Sequence, residues 1–506
     1  MNRKFPVSLI IFIVIILGSL VGCNTAEKAE EDFLPAVEEV DLEPAVLNFY
    51  IPGAEKKDTR EVLDLVAKSS DLNITLKFKW IDYAQYTNRV NSAIAVNEKF
   101  DAFVCGRPEQ EMLNFVDMFR EKKIKDISES FPKYAPVIFS QLSGEEIASI
   151  RIDGELAAVP SLLPTARVPG VLMRNDLAEK YKITSIKTFE GYTAVLKKIK
   201  EGEEHILPGI IPYYNIDVYA GAYGYVVLDY TQNLVYKRED PRMKIVPWEQ
   251  TPEFRESILL IDKWYKEGYI KPVSSQNMDF ASYLSNANSF VEGPVELDIT
   301  GSGNRQVFSN FILYKDKKFQ RVSPIANIFE KGAIVFNATS NNTERCLMLM
   351  NWIQSRQQNY DLFVHGIRDR HYSLDGERIV IPAEISGTRN PYSGWLYTAF
   401  ANINFERISN DALYPDTFMI DHKKFIEDNT RYAPHEGFYP DYRSIQVDCA
   451  NRSRMYRNKL SNPITAGTFD INNLETVIDN LKDMGSDRIV VEIQKQLDGW
   501  RAWTKQ

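Results

Sequence analysis

The sequence predicts an α/β protein built on a parallel sheet, and three observations near its start carry that reading. The apolar run Val46-Leu47-Asn48-Phe49-Tyr50 is closed by Pro52-Gly53, the pattern of a strand ending in a turn. Ile74, Leu76, Phe78 and Trp80 alternate with Thr75, Lys77 and Lys79, which predicts a strand with one buried face. Ala102-Phe103-Val104-Cys105, ended by Gly106, reads as a short buried strand. Between them lie two helical stretches. One begins at Asp58, three residues before Glu61, an acidic variant of the capping box, with Val62, Leu65 and Val66 on its apolar side. The other runs from about Tyr83 to Asn97. Strand, helix, strand, helix, strand is the order of a sheet covered by helices.

A second unit opens at Val168-Pro169-Gly170-Val171-Leu172-Met173 and continues into a helical start at Asp176 to Tyr181. Thr188 to Lys200 and Phe254 to Tyr269 are amphipathic helices; tyrosines crowd the stretch from Pro212 to Tyr236 between them. Glu292-Gly293-Pro294 turns into a short strand, Val295 to Ile299. Cys346 to Gln357 is helical, and Leu474 to Trp503 reads as two helices parted near Gly485.

Met1-Asn2-Arg3-Lys4 is a short basic start, and the apolar run Val7 to Leu20 ends in Leu20-Val21-Gly22-Cys23. This is the pattern of a secretory signal, shorter than the ~20 apolar residues of a bilayer span. The tetrad resembles a bacterial lipobox, which makes Cys23 the lipidated first residue of the mature chain. Asn24 to Pro44 then carries eight acidic residues against the single Lys28 and reads as a disordered tether. The remaining body is long enough for two or three domains of roughly 150 residues.

With 44% apolar and 25% charged residues the composition is that of an ordinary globular protein. A net charge of −9 and no clustered Lys or Arg disfavour nucleic-acid binding. Once Cys23 is set aside, Cys105, Cys346 and Cys449 are an odd number at spacings too wide for a zinc pair. They read mainly as small packed residues, with a bridge between two of them left open. Of the five histidines, His365 and His371 flank Gly366 and read as ordinary surface loop residues. No His-Glu-x-x-His, Cys-x-x-Cys, Gly-x-Ser-x-Gly or phosphate-loop motif occurs, and no metal or cofactor is expected.

Several segments taken in order resemble a known family. Trp80-Ile81-Asp82-Tyr83-Ala84-Gln85-Tyr86, Phe100 to Val104, Gly154 to Pro160, Met173 to Leu177, Trp264 to Ile270 and Gln494 to Trp503, behind a lipobox, resemble the extracellular solute-binding lipoproteins of ABC importers. The likeness is to family 1, the oligosaccharide type, in a Gram-positive branch. It implies a two-lobe periplasmic-binding-protein-like fold of type II, with a hinge, an interlobe cleft and an extended C-terminal region. The expected organisation is a signal peptide (1–22), an acidic tether (23–44), lobe one (45–163 plus 283–337) and lobe two (164–282 plus 338–506). Much of 370–506 is extra relative to the family's shorter members.

The implied function is capture of a carbohydrate, an oligosaccharide in this branch, by cleft closure and delivery to ABC permease subunits. The protein would be a monomer held on the outer face of the membrane through Cys23. A sugar needs aromatic faces and polar side chains. The candidates at strand ends and at the crossing are Trp80, Tyr83, Arg107 and Arg167. Tyr213 and Tyr214, and the group Tyr219, Tyr223 and Tyr225, are candidates from the tyrosine-rich stretch. Glu296 and Asp298 follow the Gly-Pro turn, and Trp395 lies in a loop. For each aromatic residue core packing is the competing reading, and for Trp80 it fits equally well. No catalytic residue is assigned. The alternative from another class is a lipid-anchored glycan-processing enzyme, since paired carboxylates need only be near in space; a third is an adhesion or folding module without a small ligand.

Overall fold

The computed structural model describes residues 42–106, 113–162, 170–184, 186, 188–211, 216–272, 288–291, 308–312, 319–321, 332–386, 389–392, 399–410, 416–417, 420–421, 423–424 and 430–504. The first sheet begins as the sequence predicts. β1 (Ala45–Pro52) is an interior strand, with Leu47, Phe49, Tyr50 and Ile51 buried on both faces. α1 (Thr59–Ser69) leads to β2 (Ile74–Ile81), where Leu76 is buried and Lys77 and Lys79 are exposed. α2 (Tyr83–Ala95) leads to β3 (Ala102–Cys105), buried throughout.

The chain continues through α3 (Phe115–Arg120), α4 (Ser130–Tyr134), α5 (Pro136–Phe139) and α6 (Gly144–Ser149). The hairpin β4 (Arg151–Ile152) and β5 (Glu155–Leu156) then leads into β6 (Val159–Pro160).

The second sheet starts with β7 (Gly170–Arg174) and α7 (Asn175–Lys180). α8 (Phe189–Gly202) is capped by Thr188, whose side chain accepts from the amide of Gly191. β8 (Gly209–Ile211) and α9 (Ile216–Ala222) follow. β9 (Tyr225–Asp229), β10 (Leu234–Lys237) and β11 (Val246–Pro247) make a small antiparallel sheet. α10 (Pro252–Lys266) begins with proline in its first turn behind the Thr251 cap. β12 (Ile270–Pro272), β13 (Asn288–Val291) and β14 (Phe308–Ile312) complete the second sheet, in the order β12-β8-β13-β7-β14.

β15 (Phe319–Arg321) pairs with β19 (Thr430–Tyr432). β16 (Ala333–Phe336) returns to the first sheet, whose order is β2-β1-β3-β16-β6. α11 (Thr343–Ile353) and α12 (Gln357–His365) pack on it, and a hairpin of β17 (Ser373–Asp375) and β18 (Arg378–Val380) follows. The C-terminal stretch holds α13 (Gln446–Tyr456), α14 (Leu474–Asp483) and α15 (Ser486–Trp503). The two tail helices part at Gly485, whose φ of +101° is a left-handed conformation that suits glycine.

Three cores result. The first, under sheet one, includes Phe49, Phe103, Val335, Leu347 and Phe363. The second gathers Tyr192, Trp248, Phe254, Trp264 and Leu481, and the third Val226, Tyr236, Ile489, Ile493 and Leu497. The chain is partitioned differently from the expected lobe boundaries in two places. Residues 288–291 and 308–312, expected in lobe one, pair with β7 of the second sheet. α11 and α12, expected in lobe two, bury Cys346, Leu347, Met350, Tyr360 and Phe363 in the first core. An amphipathic pattern reports that a face is buried, not which sheet receives it. The expected strand at Val295 to Ile299 lies outside the described residues.

Asp58 stands at the N-cap of α1, but its side chain makes no capping bond. It turns to His371 and Arg370, and Glu61 also pairs with Arg370. The acidic pair that resembled a capping box is a cross-link to the 367–372 loop instead. His371 is therefore buried, contrary to its expected place on the surface, and the Nε2 of His365 is buried as well. Burial lowers the pKa of His365 to about 4. Cys105, Cys346 and Cys449 are free and buried, with burial raising each thiol.

Candidate functional site

Strand register places a common edge on sheet one. Pro52 lies opposite Ile81, and the β1–β3 register (Phe49 with Ala102, Tyr50 with Phe103), carried on along the strands, brings Pro52 level with Cys105. Cys105 pairs with Ala333, and Ala333 with Pro160. The carboxyl ends of β1, β2, β3 and β6 therefore finish on one row. In open α/β sheets the loops on that side form the ligand crevice.

The loops leave this row in defined ways. Gly53 donates to the carbonyl of Ile81 at 2.7 Å. Asp82 caps α2 by accepting from the amide of Ala84 at 2.9 Å, which sets Tyr83 at the first position of that helix. Gly106 donates to the carbonyl of Leu113 at 2.8 Å. Leu162 donates to Ala401 at 2.8 Å and accepts from Ile403 at 3.2 Å, so the outgoing crossing is held by residues 401–403. Between them Asn402 is fully buried; its amide donates to Gln141 at 3.2 Å and Gln354 at 3.1 Å, and its backbone N–H donates to Tyr360 at 3.1 Å.

Sheet two has a matching edge. Ile211 ends β8 beside Pro272 of β12, and Val291 ends β13 beside Gly170, which pairs with Ile312. The first crossing thus runs from the carboxyl edge of sheet one at Pro160 to that of sheet two at Gly170. The return runs from Ile312 to Ala333, again between these edges. Ten residues span at most ~35 Å when fully extended, so the first crossing keeps the two edges within that reach.

Of the residues singled out in the sequence as ligand contacts, five are described: Trp80, Tyr83, Tyr219, Tyr223 and Tyr225. Tyr83 is 55% exposed at the edge of sheet one, and partial burial raises its pKa. Trp80 packs with Phe78 against the first core, with ring centroids 6.2 Å apart. Tyr223 packs against the second core, 6.0 Å from Phe189; burial and the nearby Glu256 push its pKa up to about 12. The neighbouring Tyr219 and Tyr225 are buried. Arg107, Arg167, Tyr213, Tyr214, Glu296 and Trp395, with Asp298 and Cys23, lie outside the described residues. In the chain, Tyr213 and Tyr214 come directly after β8, Arg107 directly after Gly106, and Arg167 within the first crossing.

The anchor of the crossing, Asn402, was not legible in the sequence: a lone asparagine in Phe400-Ala401-Asn402-Ile403 carries no periodic signal. A cavity of about 680 Å³ lies elsewhere, between the β4–β5 hairpin and the end of α15, lined by Arg120, Arg151, Gly154, Gln496, Trp500 and Trp503. Among the described residues no group of His, Cys, Asp and Glu is placed to hold a metal ion. No helix among them is long and apolar enough to cross a membrane.

Comparison with known proteins bears on this architecture. Residues 434–502 match a family model described as a domain of unknown function, DUF3502. A carbohydrate ABC transporter substrate-binding protein of Streptococcus pneumoniae is 21% identical over 95% of this chain and 94% of its own length. The N-glycan transport solute binding protein NgtS of S. pneumoniae superposes with a TM-score of 0.71 at 16% identity, covering 90% of this chain and 99% of that one. Its complex with Man5GlcNAc gives 0.60 at 17% identity, covering 90% and 98%. An extracellular solute-binding protein of Bifidobacterium longum subsp. infantis gives 0.63 at 14% identity, covering 90% and 98%. The chain has the fold of the substrate-binding proteins of ABC transporters.

Proposed function

We propose that this protein is the extracellular, lipid-anchored solute-binding component of an ABC importer, capturing an oligosaccharide between two lobes and passing it unchanged to permease subunits. The observation that carries this reading is the pair of carboxyl edges, one on each sheet, joined by a short first crossing that keeps them within ~35 Å of each other. A hinge at the crossings closes the space between such edges around a ligand that contacts both sides. Support for a sugar comes from the relative that spans nearly the whole chain and is named for carbohydrate, and from the glycan in the NgtS complex.

On this reading lobe one is built on sheet one and lobe two on sheet two with the third core. Tyr83, Arg107, Arg167, Tyr213, Tyr214, Glu296 and Trp395 are the proposed contacts, whereas Trp80 and Tyr223 serve mainly as packing beneath them. Lipidated Cys23 and the acidic segment after it hold the monomeric body near the outer face of the membrane. The protein does no chemistry on its ligand.

Calorimetric titration with neutral oligosaccharides, Man5GlcNAc among them, tests the proposal. Saturable binding with the sugar recovered intact is expected. Cleavage of any sugar in the series, or binding by none of them, overturns it.

A further inference from the structure

The cavity of about 680 Å³ beside α15 is walled by α3, α6, the β4–β5 hairpin, residues 436–443 and the last turns of α15. Its volume falls within the roughly 300–1,000 Å³ of small-molecule pockets. None of its described lining residues belongs to the loops that directly follow β1, β2, β3, β6 or β8. Most of the wall lies within residues 434–502, the segment that matches a domain of unknown function.

One residue of this wall has no structural reason to be what it is. Gly499 lies inside α15, where glycine is disfavoured relative to alanine. Its backbone is helical, so no left-handed conformation requires it. Packing does not require it either, because a Cβ at this position would meet no atom within 4 Å. Gly437, on the opposing wall, is the contrast: its φ is +86°, and a Cβ there would lie 2.7 Å from the carbonyl oxygen of Ala148. What Gly499 does, and a larger residue would not, is leave the cavity side of α15 bare.

The surroundings of that gap are aromatic and polar. Gln496, Gly499, Trp500 and Trp503 line the cavity at the spacing of one helix face. Trp503 is 56% exposed and lies against the Gly154 turn; Trp500 is half-buried, its ring 5.8 Å from that of Phe438. Gln496 exchanges two hydrogen bonds with the backbone of Asp441 at 2.8 and 2.9 Å, which fixes the 436–443 wall against α15. The guanidinium groups are already bonded. Arg120 donates to the carbonyls of Tyr439 at 2.8 Å and Pro440 at 3.1 Å, Arg151 donates to that of Gly154 at 2.5 Å, and Arg443 pairs with Asp441. Flat apolar faces, fixed hydrogen-bonding groups and compensated charges suit a neutral polyhydroxyl ligand better than an anion.

We propose that this cavity is a second saccharide site, which takes a neutral sugar with its C–H face against Trp500 and Trp503 in the space that Gly499 leaves. The site gives the segment that matches the domain of unknown function a binding role of its own. Its ligand class is that of the proposed cleft, but its residues are different.

The test is fluorine NMR of the full chain in a Cys23→Ser background, labelled with fluorotryptophan. Among the signals of the seven tryptophans, Trp500→Phe and Trp503→Phe assign the two of interest. Man5GlcNAc and the other neutral oligosaccharides are titrated in, and both signals are expected to shift saturably. Gly499→Leu has open space for its side chain and a better helix former in place of glycine, so it is expected to melt higher and to lose the shift. Trp503→Ala is expected to weaken binding read at Trp500 roughly tenfold. Tyr83→Ala, which alters the proposed cleft alone, is expected to leave both shifts in place. No shift with any sugar in the series, or a shift that persists in Gly499→Leu, overturns the proposal. A shift lost in Tyr83→Ala also overturns it, because the signals then report the cleft. Calorimetric binding that leaves both signals unmoved removes this site and keeps the cleft, whereas shifts that survive Tyr83→Ala keep this site whatever becomes of the cleft.

Discussion

The Nε2 of His371 lies 3.1 Å from a carboxylate oxygen of Asp58, with both side chains nearly buried. The Nδ1 of the same ring accepts the amide of Ile367 at 3.0 Å, so the Nε2 carries the proton and donates to Asp58. Arg370 adds a bond to the same carboxylate at 2.8 Å. This contact joins the start of α1 to the loop after α12, segments that are distant in sequence. Burial raises the Asp58 pKa, but the bonds from His371 and Arg370 outweigh it and hold the carboxyl below its ordinary value.

A pH dependence follows. A carboxyl with a lowered pKa in the folded state stabilises fully above its unfolded value of ~3.9, and that contribution fades as pH falls through the folded value. Asp58→Asn is expected to cost about 2 kcal/mol at neutral pH, the scale of a buried bond to a charged group. The gap between wild type and variant should narrow below about pH 4. Denaturant titrations at several pH values check this, and a gap independent of pH contradicts it.

Arg452 and Glu249 are an ion pair with both side chains fully buried. Arg452 also donates to Ser486 at 2.9 Å and to the carbonyl of Gln232 at 2.5 Å, joining α13 and α15 to the β9–β10 turn. Arg452→Met leaves Glu249 buried without its partner and is expected to cost about 3–5 kcal/mol. The double change Arg452→Met with Glu249→Gln should recover part of that loss. Equilibrium unfolding in urea measures both.

Tyr83 is the exposed aromatic residue at the described edge of sheet one. If it stacks on the ligand, Tyr83→Ala weakens oligosaccharide binding by about tenfold, or ~1.4 kcal/mol. Stability should change by less than about 0.5 kcal/mol, as for an ordinary surface substitution. Titration calorimetry with parallel melting curves separates the two effects.

Cys23→Ser is expected to move the protein from the membrane fraction to the medium with unchanged melting. Retention of the variant in membranes contradicts anchoring through that residue.

The legible part of the fold was local. Alternation from Ile74 to Trp80 predicted one buried face, and β2 shows it: Leu76 is buried while Lys77 and Lys79 are exposed. The short apolar run Ala102 to Cys105 predicted a fully buried strand and gave β3. What escaped were long-range choices. Residues 288–291 and 308–312 join β7 through backbone pairing that leaves no mark on side-chain periodicity. His371 was read as a surface residue because nothing local announces a carboxylate 313 positions away. Arg452 sits in a helix of weak amphipathicity, so its burial depends on Glu249 arriving from another element. The candidate site divided in the same way: Tyr83 reached an edge, whereas Trp80 and Tyr223 went to packing, the outcome periodicity favours for an aromatic residue beside an apolar stripe.

The most direct measurement is the interlobe label distance at Val96→Cys and Leu259→Cys during titration with an oligosaccharide that calorimetry shows to bind. The account predicts a saturable shortening at the calorimetric stoichiometry, with the sugar intact afterwards by mass spectrometry. An interlobe distance that stays fixed at full occupancy, or a cleaved sugar, contradicts it.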